Sequence, residues 1–314
     1  MLSYSPIRHL SLTIGAAVVL WVAPTQSQAQ NLYIANQGNA KIEEYNAVTG
    51  ASVATPLIAN TQTNQPTALA LSGNDLFVGE GLYIGEYNAT TGALLNRTFA
   101  SFYDAQLLAV GNGNLYAATI SYPEIGEFNL STGSEESSNL TGFLPGGAYA
   151  LAVSGTNLYV AEYASNTSWV SDYNAITGAL ITGTVAAVSG QVACMALSGS
   201  DLYLAYDGSA LSWEEVNLLT DTVVPGFTTP NGFETPVGMA VSGTNIYTTS
   251  ENDTIDEYSA TSGALENSNF ITSSLYQAGP IIVSPVPEPT ALPLMLAGLM
   301  IVAGVQHFRK ARQS

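Results

Sequence analysis

The chain has 314 residues, room for one large domain or two smaller ones, and carries 24 acids against 6 bases for a formal net charge of −18. Between residues 30 and 285 there are 23 acids and two bases, Lys41 and Arg97, a field that repels phosphate backbones and excludes nucleic-acid binding and clamped phosphoryl transfer. Both histidines, His9 and His307, lie outside that stretch, which excludes Ser-His-Asp and Cys-His catalysis and the usual zinc sites there, while 46% hydrophobic and 10% charged residues describe a chain with a large core.

Residues 1–29 have the three-part order of a secretory signal peptide. Arg8 and His9 precede an apolar run from Leu10 to Ala23, Pro24 breaks it, and Ser27-Gln28-Ala29 supplies small residues for cleavage after Ala29. The run is 14 residues, short for a membrane span. The segment predicts export through the Sec translocon.

From residue 30 the chain repeats. One segment recurs as Asn31-Leu-Tyr-Ile-Ala, Asp75-Leu-Phe-Val-Gly, Asn114-Leu-Tyr-Ala-Ala, Asn157-Leu-Tyr-Val-Ala, Asp201-Leu-Tyr-Leu-Ala and Asn245-Ile-Tyr-Thr-Thr, in steps of 44, 39, 43, 44 and 44 residues. A second follows each, of the type Ile84-Gly-Glu-Tyr-Asn, and most copies run into Thr-Gly, as at Thr91-Gly92 and Thr177-Gly178. That is turn chemistry: Asn bonds its own backbone and Gly supplies a positive φ. A third segment is short and apolar, such as Ala150-Leu-Ala-Val153, and a fourth, less regular one follows each Thr-Gly turn. Four short strands per period of 40–45 residues, with no amphipathic helix, predict a β-propeller blade.

Named from the inside outward, the strands are A (Ala-Leu-Ala-Val), B (Asn-Leu-Tyr-Val-Ala), C (Ile-x-Glu-Tyr-Asn) and D. Six A and six B copies predict an all-β, six-bladed propeller over 30–284. Nothing like strand A precedes Asn31, and an unpaired copy lies at Pro280–Ser284, so three N-terminal strands and one C-terminal strand should close one blade. The B and C segments resemble NHL-type and YVTN-type propeller repeats, a resemblance that implies the fold and no reaction.

Acids recur in strand C at Glu44, Glu86, Glu127, Asp172, Glu215 and Glu257. A feature present in every blade answers a need of every blade, here a solvated outer strand or a cap on the turn. The repeated B-strand tyrosines read as packing between blades, and Cys194 as a small buried apolar residue. Function is expected where copies differ. Glu80, Glu162, Asp207, Glu251 and Asp253 follow the ends of the B strands and are expected near one mouth of the channel. They are the candidate ligand residues. Ca²⁺ suits such oxygen donors, but no Asp-x-Asp-x-Asp-Gly loop is present. No catalytic residue, metal site or other cofactor is assigned.

The C-terminus reads Val286-Pro287-Glu288-Pro289, an apolar segment to Val305, and a basic tail containing Arg309, Lys310 and Arg312. Hydropathy and charge predict a single membrane helix with its tail on the cytoplasmic side. The order of parts resembles the PEP-CTERM sorting signal of Gram-negative bacteria. That resemblance covers residues 285–314 and implies transient anchoring in the inner membrane and processing by exosortase. Together these readings predict an exported, non-enzymatic protein of the cell surface or extracellular matrix, with extracellular polysaccharide or envelope proteins as partners. The alternative is an exported propeller hydrolase, gluconolactonase-like, that uses carboxylates or a bound metal.

Overall fold

Side chains on a strand alternate between two faces, and in this chain both faces of the B strand are apolar. In blade 1, Leu32 and Ile34 pack into one cluster with Tyr247 and Phe270, while Tyr33 and Ala35 pack into another with Leu69, Leu76 and Val78. A strand buried on both faces needs a neighbouring sheet on each side. Repeating that requirement around a ring produces a propeller.

The structure is a computed structural model that describes residues 30–284 except 60, 62–64, 121, 208–211, 228, 230–235 and 272–274. The signal-peptide reading of 1–29 with cleavage after Ala29 lies outside the described residues. So do Val286, Pro287, Glu288, Pro289 and the tail residues Arg309, Lys310 and Arg312. Among the described residues no helix is long and apolar enough to cross a membrane.

The described residues form six four-stranded antiparallel sheets. Blade 2 consists of Ala68–Ser72, Asp75–Gly79, Tyr83–Asn88 and Leu94–Ser101, ordered from A to D. Blades 3, 4, 5 and 6 begin with their A strands at Leu107–Gly111, Ala148–Ser154, Gln191–Ser198 and Pro236–Ser242. The D strands of blades 3 and 5 are short, at Glu135–Ser137 and Thr222–Val223. Blade 1 joins the two ends of the domain: Ala278–Val283 is strand A, and Asn31–Asn36, Lys41–Asn46 and Ser52–Ile58 are B, C and D. The closure expected from the unpaired C-terminal copy is the observed one.

Six buried apolar clusters lie between consecutive blades, one at each junction of the ring. The B-strand tyrosines point toward the next blade. Tyr116 donates its hydroxyl to Ala175 O at 2.9 Å, Tyr203 to Ala260 O at 3.2 Å and Tyr247 to Ala47 O at 2.5 Å. Each pair links one blade to the start of the C–D turn of the following blade, so the repeated tyrosine packs and also satisfies a buried carbonyl.

The C–D turn explains the Asn and Thr-Gly of the repeat. In blade 4, Asn174 Oδ1 accepts from Ile176 N, Thr177 N and Thr177 Oγ1, and Gly178 N donates to Asn174 O. Gly178 has φ +67°, and a Cβ there would run into the Leu140 carbonyl oxygen of the preceding blade. Gly155, in the A–B turn of the same blade, also has positive φ but nothing within 4 Å. Gly178→Ala should therefore cost about 2–4 kcal/mol and Gly155→Ala about 1–2 kcal/mol. Urea unfolding of the two variants checks this; equal losses would mean that the turn glycine serves only its own backbone.

Candidate functional site

The six A strands surround a central cavity of about 250 Å³. All six blades contribute, through residues such as Leu69, Leu107, Leu151, Met195, Met239 and Ile281. Among the described residues the polar side chains on its wall are Gln106, Tyr149 and Cys194, and no carboxylate, imidazole, amine or guanidinium lines it. Burial pushes the Cys194 thiol up to about 12, so at neutral pH it stays a protonated, inert thiol, in keeping with a small buried apolar residue.

Of the five acids singled out in the sequence, the four whose side chains are described, Glu80, Glu162, Glu251 and Asp253, do not line this cavity. Glu80 is 2% exposed and accepts from the Tyr87 hydroxyl at 2.6 Å. Glu162 is 1% exposed and accepts from Ser171 Oγ at 2.8 Å and the Tyr173 hydroxyl at 3.2 Å. Asp253 accepts from Ala278 N at 2.7 Å, holding the turn after the blade 6 B strand against the closing strand. Glu251 is exposed in that turn. Asp207 ends the B strand of blade 5, and its side chain lies outside the described residues. Among the described residues no group of three or more His, Cys, Asp or Glu could hold a metal.

A regularity in the sequence explains where the buried acids go. The C-strand tyrosine needs an acceptor for its buried hydroxyl, and the four blades that carry one supply it from either of two positions, two residues earlier in strand C (Glu43, Asp256) or the end of strand B (Glu80, Glu162). Tyr45 donates to Glu43 at 2.5 Å, Tyr87 to Glu80, Tyr173 to Glu162, and Tyr258 to Asp256 at 3.3 Å. Blade 3 has Phe128 in place of the tyrosine and carries Gly126 and Thr119 where the others carry the acid. Blade 5 departs from the pairing: it has Val216 in place of the tyrosine yet keeps Glu214 at the Glu43 position, and Glu214 Oε1 is buried without a partner among the described residues. Burial, then the Glu162 charge, pushes the Tyr173 hydroxyl up to about 12. Reading strand B alone missed this pairing; comparing B and C strands blade by blade reveals it.

Of the six acids at the shared C-strand position, Glu86 is half-buried and the other five are buried rather than solvated. Glu44, Glu127, Asp172, Glu215 and Glu257 are between 4% and 9% exposed. Nor do they cap the turn. In four blades the carboxylate accepts from the Asn that opens strand B: Asn31 to Glu44 at 2.7 Å, Asn114 to Glu127 at 2.6 Å, Asn157 to Asp172 at 2.8 Å and Asn245 to Glu257 at 2.5 Å. The bond ties B to C where the strands enter the sheet. Asp172 is the most perturbed: burial, with a contribution from the Asp221 charge, pushes it up to about 6 against the Asn157 bond, and its Oδ1 has no partner.

No protein-family model matches this chain, and no curated protein does. Among solved structures, a chain in the crystal structure of a nidogen/laminin complex superposes with a TM-score of 0.66 at 12% identity, covering 82% of this chain and 99% of that one. At that identity the likeness is one of fold. The computationally designed Ika8 protein superposes with a TM-score of 0.49 at 15% identity, covering 77% of this chain and 72% of its own.

Proposed function

We propose that this chain is an exported, non-enzymatic interaction propeller of the cell surface or extracellular matrix, delivered by its N-terminal signal and sorted by the Pro287-Glu288-Pro289 tail. The observation that carries the non-enzymatic reading is the central cavity, on whose wall no described residue is a carboxylate or imidazole to move a proton or a cation to clamp an anion. The most buried of the singled-out acids, Glu80 and Glu162, are engaged with tyrosine and serine hydroxyls. That the fold-like neighbour is a chain of a nidogen/laminin complex supports an interaction role for the scaffold. The signal-peptide pattern and the order of motif, apolar segment and basic tail support export and sorting. Exosortase and the Sec translocon are the processing partners in this reading, and extracellular polysaccharide or envelope proteins the binding partners.

Intact mass of the protein recovered from native envelope and medium tests the address. The expected species lacks residues 1–29 and the segment after Pro289. A species that keeps the tail would replace sorting with permanent anchoring. The same material should show no turnover of lactones or glycosides, with or without chelator; turnover would revive the hydrolase reading.

A further inference from the structure

Two blades break the rule that an amide opens strand B. Blade 2 has Asp75 and blade 5 has Asp201 where the other four have Asn. The register is unchanged: Asp201 pairs with Asn217 and Tyr203 with Glu215, as Asn157 pairs with Asn174 and Tyr159 with Asp172. The donor is thus replaced by a second carboxylate beside the C-strand acid.

In blade 5 that replacement leaves a charge problem. Glu215 is 8% exposed, and its carboxylate accepts no hydrogen bond from any described residue. Asp201 turns to weaker partners, accepting from Asn217 Nδ2 at 3.3 Å and Ser200 Oγ at 3.4 Å. The only bases of the domain, Lys41 and Arg97, belong to blades 1 and 2. Burial, then the Asp201 charge, raises the Glu215 carboxyl above its ordinary range. Two adjacent carboxylates, one of them on a side chain that is 8% exposed and has no hydrogen-bond donor among the described residues, favour a compensating positive charge.

The space for that charge is present. A cavity of about 320 Å³ between blades 5 and 6 is lined by Asp201, Glu215, Ser198, Tyr203, Thr244 and Thr261. Every polar side-chain atom of the described residues on this wall is an oxygen. Hard divalent cations select such a set, and Ca²⁺ takes six to eight oxygens in flexible geometry, some of them water. Zinc and copper, which favour nitrogen and sulfur, find neither.

We infer that the cleft between blades 5 and 6 is a Ca²⁺ site, with Asp201 and Glu215 as its charged ligands and the neighbouring hydroxyls and water completing the shell. The site balances two negative charges with one dication and pins the outer part of blade 5, where strand D is only Thr222–Val223, against blade 6. Half-saturation should lie at about 0.1–1 mM, the range of extracellular calcium modules.

The test uses the full-length chain, titrated with CaCl₂ and, at matched ionic strength, with MgCl₂ and NaCl. Calorimetry should show saturable Ca²⁺ binding, and 5 mM CaCl₂ should raise Tm by about 2–5 °C beyond the salt controls. Asp201→Asn restores the amide that four blades already carry, so the variant should fold, and it should weaken Ca²⁺ binding at least tenfold. Asp75→Asn should leave the response intact. The proposal falls if no saturable Ca²⁺ response appears, if Asp201→Asn keeps the wild-type response, or if only Asp75→Asn removes it. A pH response without a Ca²⁺ response would mean that a shared proton holds the pair and would overturn it equally.

Discussion

A chain ending before Ala278 is expected to lose the cooperative fold. Ala278–Val283 is the innermost strand of blade 1, and its partner Asn31–Asn36 lies at the other end of the domain. Leu32 pairs with Val283, Tyr33 with Ile282 and Ile34 with Ile281. Ser284 locks the end, since Asn31 N donates to its Oγ at 2.8 Å and Ser284 N donates to Asn31 O at 2.8 Å. Ala278 and Ile281 are each 3% exposed and sit in the cluster between blades 6 and 1. Removing the strand exposes that cluster and leaves an open sheet edge facing the cavity.

The corresponding point substitutions grade the effect. Ile281→Ala should cost about 2–4 kcal/mol from lost burial and the cavity left behind. Ile281→Asp, which buries a charge with no partner, should cost more than about 4 kcal/mol. Denaturant unfolding reads both, and gel filtration reads the truncation. Deleting 286–314 alone should leave Tm unchanged. If the chain without 278–284 melts at the wild-type temperature, closure is not what holds the ring.

The second large effect is in pH. Seven carboxyls have resolved shifts, at Glu44, Glu86, Glu127, Asp172, Glu214, Glu215 and Glu257, and all are raised, burial being the first cause in each. The folded state therefore holds these protons more tightly than the unfolded chain. Stability from such groups is fully present below their unfolded values and is lost as pH rises through the folded ones. For Asp172 the window runs from 3.8 to about 6. No histidine lies within 30–284 to oppose the trend.

The propeller should thus be more stable at pH 5 than at pH 8 in low salt, by several degrees in Tm. Asp172 faces Asn157, Tyr159 and the Asp221 charge. Asp172→Asn removes the charge and keeps an acceptor for Asn157, so it should stabilise the protein at pH 8 by on the order of 1–2 kcal/mol, with solvent screening allowed for, and flatten the profile. A wild-type Tm that falls between pH 8 and pH 5 would show that ionised, well-paired carboxylates dominate instead.

The candidate acids show where reading the sequence stops. Glu80 and Glu162 stand where the repeat varies, and variation suggests a ligand site. In a propeller both faces of a B strand are covered by neighbouring blades, so period-two alternation separates one blade junction from the other and does not separate core from solvent. The strand-end acids are therefore buried against Tyr87 and Tyr173. Glu215 was read as one of six equivalent acids; its difference lies in Asp201, two residues across a strand pair and distant in sequence.

Local sequence was enough for the number of blades, the order of strands within them, the strand that closes the ring and the packing of the tyrosines between blades. These follow from local period, turn chemistry and the apolar faces of short strands, which are properties of neighbouring residues. Tertiary structure alone decided which carboxylates find a donor, that the central cavity is apolar, and that the oxygen-lined cleft lies between blades 5 and 6. Those depend on diagonal pairs across strands and on side chains from adjoining blades, distances that no spacing along the chain encodes.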